Sequence, residues 1–199
     1  MYFNNKMSKK DIKLSKTMSA ILRHKAIENG LQIKEDGYIK LSDLLKCEGF
    51  KGISVSNIIN VVENSDKKRF EISEDGKYIR ATQGHSIKTV KTEELLRELT
   101  EDDGYTECYH GTNSNTISSI MVNGLNRMKR NNIHFSIGLK EDDKVISGMR
   151  NSAKVVVVLD LQAAMEHGIK FYISSNNVIL SEGVNGIIPP EFIKDIIYL

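Results

Sequence analysis

The sequence has no tryptophan, two prolines and two cysteines in 199 residues. The prolines stand side by side at Pro189 and Pro190, so they interrupt the chain once, before its last segment. Cys47 and Cys108 do not make a disulfide framework, and neither has a second ligand at metal spacing. A reducing, cytoplasmic setting with no structural metal is therefore expected. The longest strongly apolar stretch, Val155 to Leu161, already contains Asp160 and is far too short to span a bilayer. Lysines near the start are followed by no apolar segment, so no secretory signal is visible. There is no Rossmann glycine fingerprint, Walker loop, HExxH or CxxC pair, or G-x-S-x-G elbow. These absences remove the commonest hydrolase and dehydrogenase readings and leave metal chemistry without a seat.

What is present is the make-up of an ordinary soluble globular protein, 27% charged and 40% hydrophobic. The length fits one larger domain or two small ones. The net charge of +2 hides an asymmetry. Residues 1–100 carry 19 Lys and Arg against 14 Asp and Glu, whereas residues 101–199 carry 9 against 12. The basic front half is the better candidate for touching phosphates, although a lysine-rich helix can equally be a solvated face.

Met1 to Lys10 is polar and unpatterned and is expected to lie outside regular structure. Leu14, Met18, Ile21 and Leu22 recur at helical spacing, with Gly30 as a stop. Asp36-Gly37 reads as a turn before a short strand at Tyr38-Ile39-Lys40-Leu41. Ser42 can cap a helix bearing Leu44 and Leu45, and Ser54 or Ser56 the next. Arg69 to Ile72 and Tyr78 to Ala81 flank Glu74-Asp75-Gly76 as a hairpin. Three helices and a hairpin describe a winged helix, a shape that does not by itself decide function. Lys88 to Glu101 contains a short helix with Leu95, Leu96 and Leu99, and Glu101-Asp102-Asp103-Gly104 is the best linker. The boundary drawn there gives lobes 1–100 and 101–199. The second lobe reads as strand-rich, with a helix over Thr116 to Asn123 stopped by Gly124 and strands at Glu107 to His110, Ile133 to Ser136, Lys154 to Leu159, Phe171 to Ser174, Val178 to Leu180 and Ile193 to Leu199. The fold class is α+β.

The notable side chains are arginines and histidines at structured positions: Arg23-His24 at the end of the first helix, Arg69 and Arg80 in the hairpin, His85, His110, Arg130, His134 and Arg150. Guanidinium groups are permanently charged and offer forked donors that match phosphate oxygens two at a time. Arginines converging from two domains would clamp a phosphate dianion. Each has a plain reading as well, Arg23 as a surface residue, His110 and His134 as structural histidines, and Gly111 as a turn. Composition and spacing alone stop at a two-module soluble protein suited to nucleic acid.

The motifs in order go further. Leu22-Arg23-His24, Asp36-Gly37-Tyr38, Lys68-Arg69-Phe70, Ile79-Arg80-Ala81, Gln83-Gly84-His85-Ser86 and Tyr109-His110-Gly111-Thr112 are followed by Gly124-Leu125, Met128-Lys129-Arg130, Ile133-His134-Phe135-Ser136, Ser147-Gly148-Met149-Arg150 and Ser175-Asn176-Asn177-Val178-Ile179-Leu180. From about residue 11 to the C-terminus the chain resembles the NAD-dependent RNA 2′-phosphotransferase family, which finishes fungal-type tRNA splicing and also occurs in bacteria. The resemblance implies an N-terminal winged-helix lobe followed by a C-terminal ADP-ribosyltransferase-type mixed β lobe. It implies Arg23, His24, Arg69 and Arg130 as catalytic residues, with Arg127 a competitor for the last place. It implies His110, Gly111, Thr112, His134, Ser136 and Arg150 on NAD, Arg150 at the pyrophosphate, and a third NAD position at Val178. Where the family commonly reads His-x-His, this chain has Asn132-Ile133-His134, which keeps the second histidine, and Phe135 stands where a leucine is usual.

The reaction so implied has two steps. The RNA 2′-phosphate attacks the ribose carbon bearing nicotinamide, giving ADP-ribosylated RNA. The neighbouring ribose 2″-hydroxyl then attacks phosphorus, releasing 2′-hydroxyl RNA and ADP-ribose 1″,2″-cyclic phosphate. An anionic nucleophile and a neutral leaving group need no strong base or acid, which suits a site built of arginines. The expected partners are RNA with an internal 2′-phosphate and NAD, with no membrane and a monomeric chain. Two other readings remain: an ADP-ribosyltransferase that stops after the first step, which would not need Arg23-His24, and a non-enzymatic winged-helix nucleic-acid binder with an NAD-sensing lobe.

Overall fold

The computed structural model describes residues 7–139, 149 and 152–199. The chain divides into two compact units, Met1–Leu95 and Leu96–Leu199.

Unit one opens with α1 (Lys9–Ala20). Ser8 accepts from the Asp11 N–H and Asp11 returns a bond to the Ser8 N–H, a capping box worth about 1 kcal/mol. That cap corrects the expectation of an irregular start up to Lys10. Leu14 and Met18 form the buried face. The helix then widens into a π-helical turn, Ile21–Lys25, and a 3₁₀ turn, Ile27–Asn29, that ends at Gly30 with φ 69°. β1 (Ile39–Lys40) leads directly into α2 (Leu41–Leu44). Ser42 lies inside α2 rather than ahead of it, so the expected serine cap is not made. α3 (Val55–Glu63) is capped by Ser54, not Ser56, because Ser54 can exchange bonds with Asn57 three residues on. β2 (Phe70–Ile72) and β3 (Tyr78–Ala81) form the hairpin, and the sheet runs β1-β3-β2, antiparallel throughout. Met18, Leu22, Leu44, Phe50, Ile58 and Ile79 make the core. The unit closes on α4 (Thr92–Leu95).

Unit two begins with β4 (Arg97–Glu98), then β5 (Glu107–Thr112), α5 (Ile117–Asn123), β6 (Leu125–Asn126), β7 (Ile133–Ser136) and β8 (Val155–Asp160). After them come α6 (Leu161–Glu166), β9 (Tyr172–Ile173), β10 (Val178–Ser181), β11 (Ile187–Ile188) and β12 (Ile193–Tyr198). Among the described residues, seven strands form one sheet in the order β12-β8-β5-β7-β10-β9-β4, and β11 pairs with β6. The division between units falls ahead of Glu101 because β4 is bonded to β9. The acidic run is a 3₁₀ turn of unit two, with Asp103 held by Arg97 at 2.7 Å. α6 stands where the sequence reading expects no helix, and Asp160 caps it by accepting from the Ala163 N–H at 2.9 Å.

Strand alternation gives the large sheet two faces. Cys108, Phe135, Val157, Leu159 and Ile179 pack with Leu161 and Phe171 on one. Tyr109, Met149, Ala153 and Val156 cluster on the other. β5 and β7 meet at the single pair Tyr109–Ser136, so the two strands part beyond it.

Candidate active site

In unit one, Arg23 and His24 both stand on the π-helical turn at the end of α1. Such turns carry one extra residue, recur at functional sites and re-aim what they carry. The chain leaving β3 grips this turn. The Ser86 N–H donates to the Arg23 carbonyl at 2.9 Å. The Ser86 hydroxyl lies 2.9 Å from His24 Nδ1, a contact spanning 62 residues of sequence. A Cβ built on Gly84, whose φ is +91°, would sit 3.5 Å from Arg23 Cδ, Nε and Cζ, so the guanidinium lies along the glycine.

His85 points into the unit and is 3% exposed. Neither ring nitrogen has a hydrogen-bond partner among the described residues. Burial, together with the positive charges of Arg23, His24 and Arg80, pushes its pKa down to about 3, so the ring stays neutral. Its Nε2 lies 3.3 Å from where a Cβ would stand on Gly37, whose φ is +82°. Gly37 thus serves a left-handed turn and a close approach at once.

Arg69 comes to the same end of the hairpin. The Thr82 N–H donates to the Arg69 carbonyl at 3.0 Å, one residue before Gln83. The Arg69 guanidinium reaches the Ser65 hydroxyl and Asp66, each at 3.2 Å. Lys68, just before it, has φ 42°, a left-handed conformation that a side chain adopts at some cost. Unit one therefore joins Arg23, His24 and Arg69 through one short stretch, Thr82 to Ser86. Arg80 is committed elsewhere: it pairs with Glu71 at 2.9 Å, donates to the Asp36 carbonyl at 3.1 Å and lies 4.4 Å from the Tyr38 ring centre.

In unit two, His110 and His134 are joined through main chain. His110 Nδ1 lies 2.9 Å from the His134 carbonyl. Their rings stand on opposite faces by strand alternation. His110 packs edge-on against Phe135 at 5.9 Å, while His134 alternates with the core residues Ile133 and Phe135. Val178 pairs with Ser136 and shares the His134 face, and Leu180 is the residue opposite His134. The expected triad is thus brought to three neighbouring strands but not to one face. Arg130 Nη1 lies 3.4 Å from His134 Nδ1. Its turn contains Met128 at φ 57°. Arg127 is spent on that turn, donating from Nη1 to the Arg130 carbonyl at 2.8 Å. Asn132 is buried beside it in sequence.

The other expected NAD residues differ in character. Gly111 is not a turn but the fifth residue of β5. A Cβ there would meet Met149 Cγ at 2.6 Å and Ala153 Cβ at 3.0 Å, so packing requires the glycine. The Thr112 hydroxyl lies 2.8 Å from that of Thr116. Ser136 is fully buried, and its hydroxyl donates to the Gly138 carbonyl at 2.7 Å. Arg150 lies outside the described residues. Among the described residues no group of acids, histidines and cysteines could hold a metal, and no helix is long and apolar enough to cross a membrane. The grip of Ser86 on His24 is a contact spanning 62 residues, and such a contact leaves no periodic signal in the sequence.

Residues 9–183 match the profile described as RNA 2′-phosphotransferase, Tpt1/KptA family. A protein of Schizosaccharomyces pombe is 43% identical over 180 residues, 89% of this chain and 49% of that protein, so the chain spans about half its length. The tRNA 2′-phosphotransferase 1 of Danio rerio is 40% identical over 194 residues, 94% of this chain and 85% of its own. The tRNA 2′-phosphotransferase of Saccharomyces cerevisiae is 37% identical over 198 residues, 95% and 84% of the two chains. The chain belongs to the RNA 2′-phosphotransferase family of transferases.

Proposed function

We propose that the chain removes an internal 2′-phosphate from tRNA-like RNA by transferring it to the ADP-ribose part of NAD. Unit one is read as a winged-helix lobe that takes the RNA phosphate, because its elements run helix, strand, helix, helix, hairpin in a sheet ordered β1-β3-β2. Unit two is read as an ADP-ribosyltransferase-type lobe that takes NAD. The observation that carries the reading is that one stretch, Thr82 to Ser86, holds both the turn bearing Arg23 and His24 and the main chain of Arg69.

His110, Thr112, His134 and Arg130 offer ring nitrogens, a hydroxyl and a guanidinium, donor types that fit the carboxamide, ribose hydroxyls and phosphates of NAD. When bound, NAD would supply the electrophilic ribose carbon that accepts the phosphate as nicotinamide leaves. Arg23 and Arg69 bind the incoming phosphate and hold it in line, which is positioning rather than acid–base work. In the second step they and Arg130 stabilise charge growing around phosphorus. Arg130 suits that part better than Arg127, whose guanidinium is occupied by the turn. His24 gives a proton to the departing RNA oxygen and recovers one, by way of water, from the attacking 2″-hydroxyl.

The test is a short RNA with one internal 2′-phosphate, incubated with and without NAD. NAD-dependent loss of phosphate, with nicotinamide and ADP-ribose 1″,2″-cyclic phosphate formed together, is expected. The Arg69→Ala variant is expected to accumulate ADP-ribosylated RNA. Intact RNA and intact NAD would sink the reading.

A further inference from the structure

We propose that Ser86 is a positioning residue for His24, holding the imidazole by Nδ1 so that Nε2 serves the RNA oxygen that departs in the second step. The proposal rests on the function given above.

His24 is exposed at the end of a helix, where an imidazole would ordinarily sample several rotamers. Ser86 restricts it. The same residue holds the turn twice, by its hydroxyl on His24 Nδ1 and by its N–H on the Arg23 carbonyl, each at 2.9 Å. Ser86 is in turn fixed from behind, because His85 is buried against Gly37 and Gly84 lies along the Arg23 guanidinium. The grip is therefore set by the fold and not by the exposed helix end alone.

A hydroxyl suits this place for a chemical reason. It donates to Nδ1 when that nitrogen is bare and accepts from it when it carries a proton. His24 can then keep one orientation while it loses and regains a proton. A carboxylate in the same place would favour the charged ring and oppose proton release. With Nδ1 engaged by Ser86, the ring hands its proton over at Nε2. As the phosphorus–oxygen bond to RNA breaks, the bonding pair goes to the RNA 2′-oxygen, which takes the Nε2 proton.

Ser86→Ala removes the hydroxyl and keeps the main-chain bond to Arg23. Nicotinamide release, which reports the first step, is expected to continue at the wild-type rate with an unchanged KM for RNA. Conversion of ADP-ribosylated RNA to product is expected to slow about tenfold, a fraction of what a general acid contributes. Ser86→Thr, which keeps the hydroxyl, is expected to restore it. Nitrogen NMR of the His24 ring gives a readout without turnover: the Nδ1 signal should move in Ser86→Ala and return in Ser86→Thr. An unchanged second-step rate in Ser86→Ala overturns the proposal. If the wild-type protein forms no product at all, the assigned function fails, and the Nδ1 signal alone then decides whether Ser86 governs the ring.

Discussion

Arg127 holds Arg130: its Nη1 donates to the Arg130 carbonyl at 2.8 Å, closing a turn that includes Met128 at φ 57°. Two arginines three residues apart thus have unlike tasks, one aimed toward His134 and the other keeping it there. Arg130→Ala is expected to lower kcat of the second step by roughly 10²–10³-fold, the cost of losing one preorganised donor. Arg127→Ala is expected to lose less, about tenfold to a hundredfold, through misplacement of its neighbour. Single-turnover assays of both variants check the order, and a larger loss in Arg127→Ala would exchange their roles.

The buried His85 makes stability depend on pH. Its folded pKa lies near 3, well below the ordinary histidine value of 6.5, so the unfolded chain binds a proton that the folded chain refuses. Stability is therefore full above about pH 6.5 and falls as pH drops toward 3, by at most about 1.4 kcal/mol per pH unit for this one group. His85→Leu is expected to flatten that decline. Denaturant midpoints for both proteins between pH 7 and 4.5 measure it, and parallel curves would show that His85 carries none of the dependence.

Gly111 tests packing without backbone strain. A methyl group there would lie 2.6 Å from Met149 Cγ and 3.0 Å from Ala153 Cβ. Gly111→Ala is expected to destabilise by about 1–3 kcal/mol through overpacking. A thermal melt checks it. An unchanged midpoint would mean that the residues covering β5 give way freely.

Arg80 is expected to matter for folding and not for chemistry. It is bonded to Glu71 and to the Asp36 carbonyl and lies over Tyr38. Its side chain is only 17% exposed. Arg80→Ala should cost about 1–3 kcal/mol, combining a cation–π contact, a charged hydrogen bond and packing of the stem. At a temperature where the variant is folded, kcat and KM should match wild type. A selective loss of RNA binding would return Arg80 to the phosphate-handling set.

The sequence made local features visible where local chemistry decides them. Ser54 ahead of α3, Gly30 after the first helix and Gly76 in the hairpin each act within three or four residues of their own position. The short pieces were harder. β4 has two residues and exists because β9 offers it an edge, so no periodicity in Arg97-Glu98 could announce it. Residues 161–166 hide behind the valine strand, and only Asp160 marks the change of structure. At the site, residue types pointed to anion handling, whereas the separation of Arg80 from Arg23 and Arg69 needed partners in space. Glu71 satisfies Arg80 across a strand pair, and nothing in the spacing tells a reader which arginine it will choose.

The widened turn at Ile21–Lys25 also bears on how this stretch tolerates insertion and deletion. An α-helix advances about 100° per residue. The extra residue of the π turn shifts the phase between Leu14 and Met18 on one side and Ala26 on the other, all of them buried. Loss of a single residue here would restore an unbroken helix and swing one of those apolar sets toward water. Drift in chain length, which loops usually absorb, is closed to this segment.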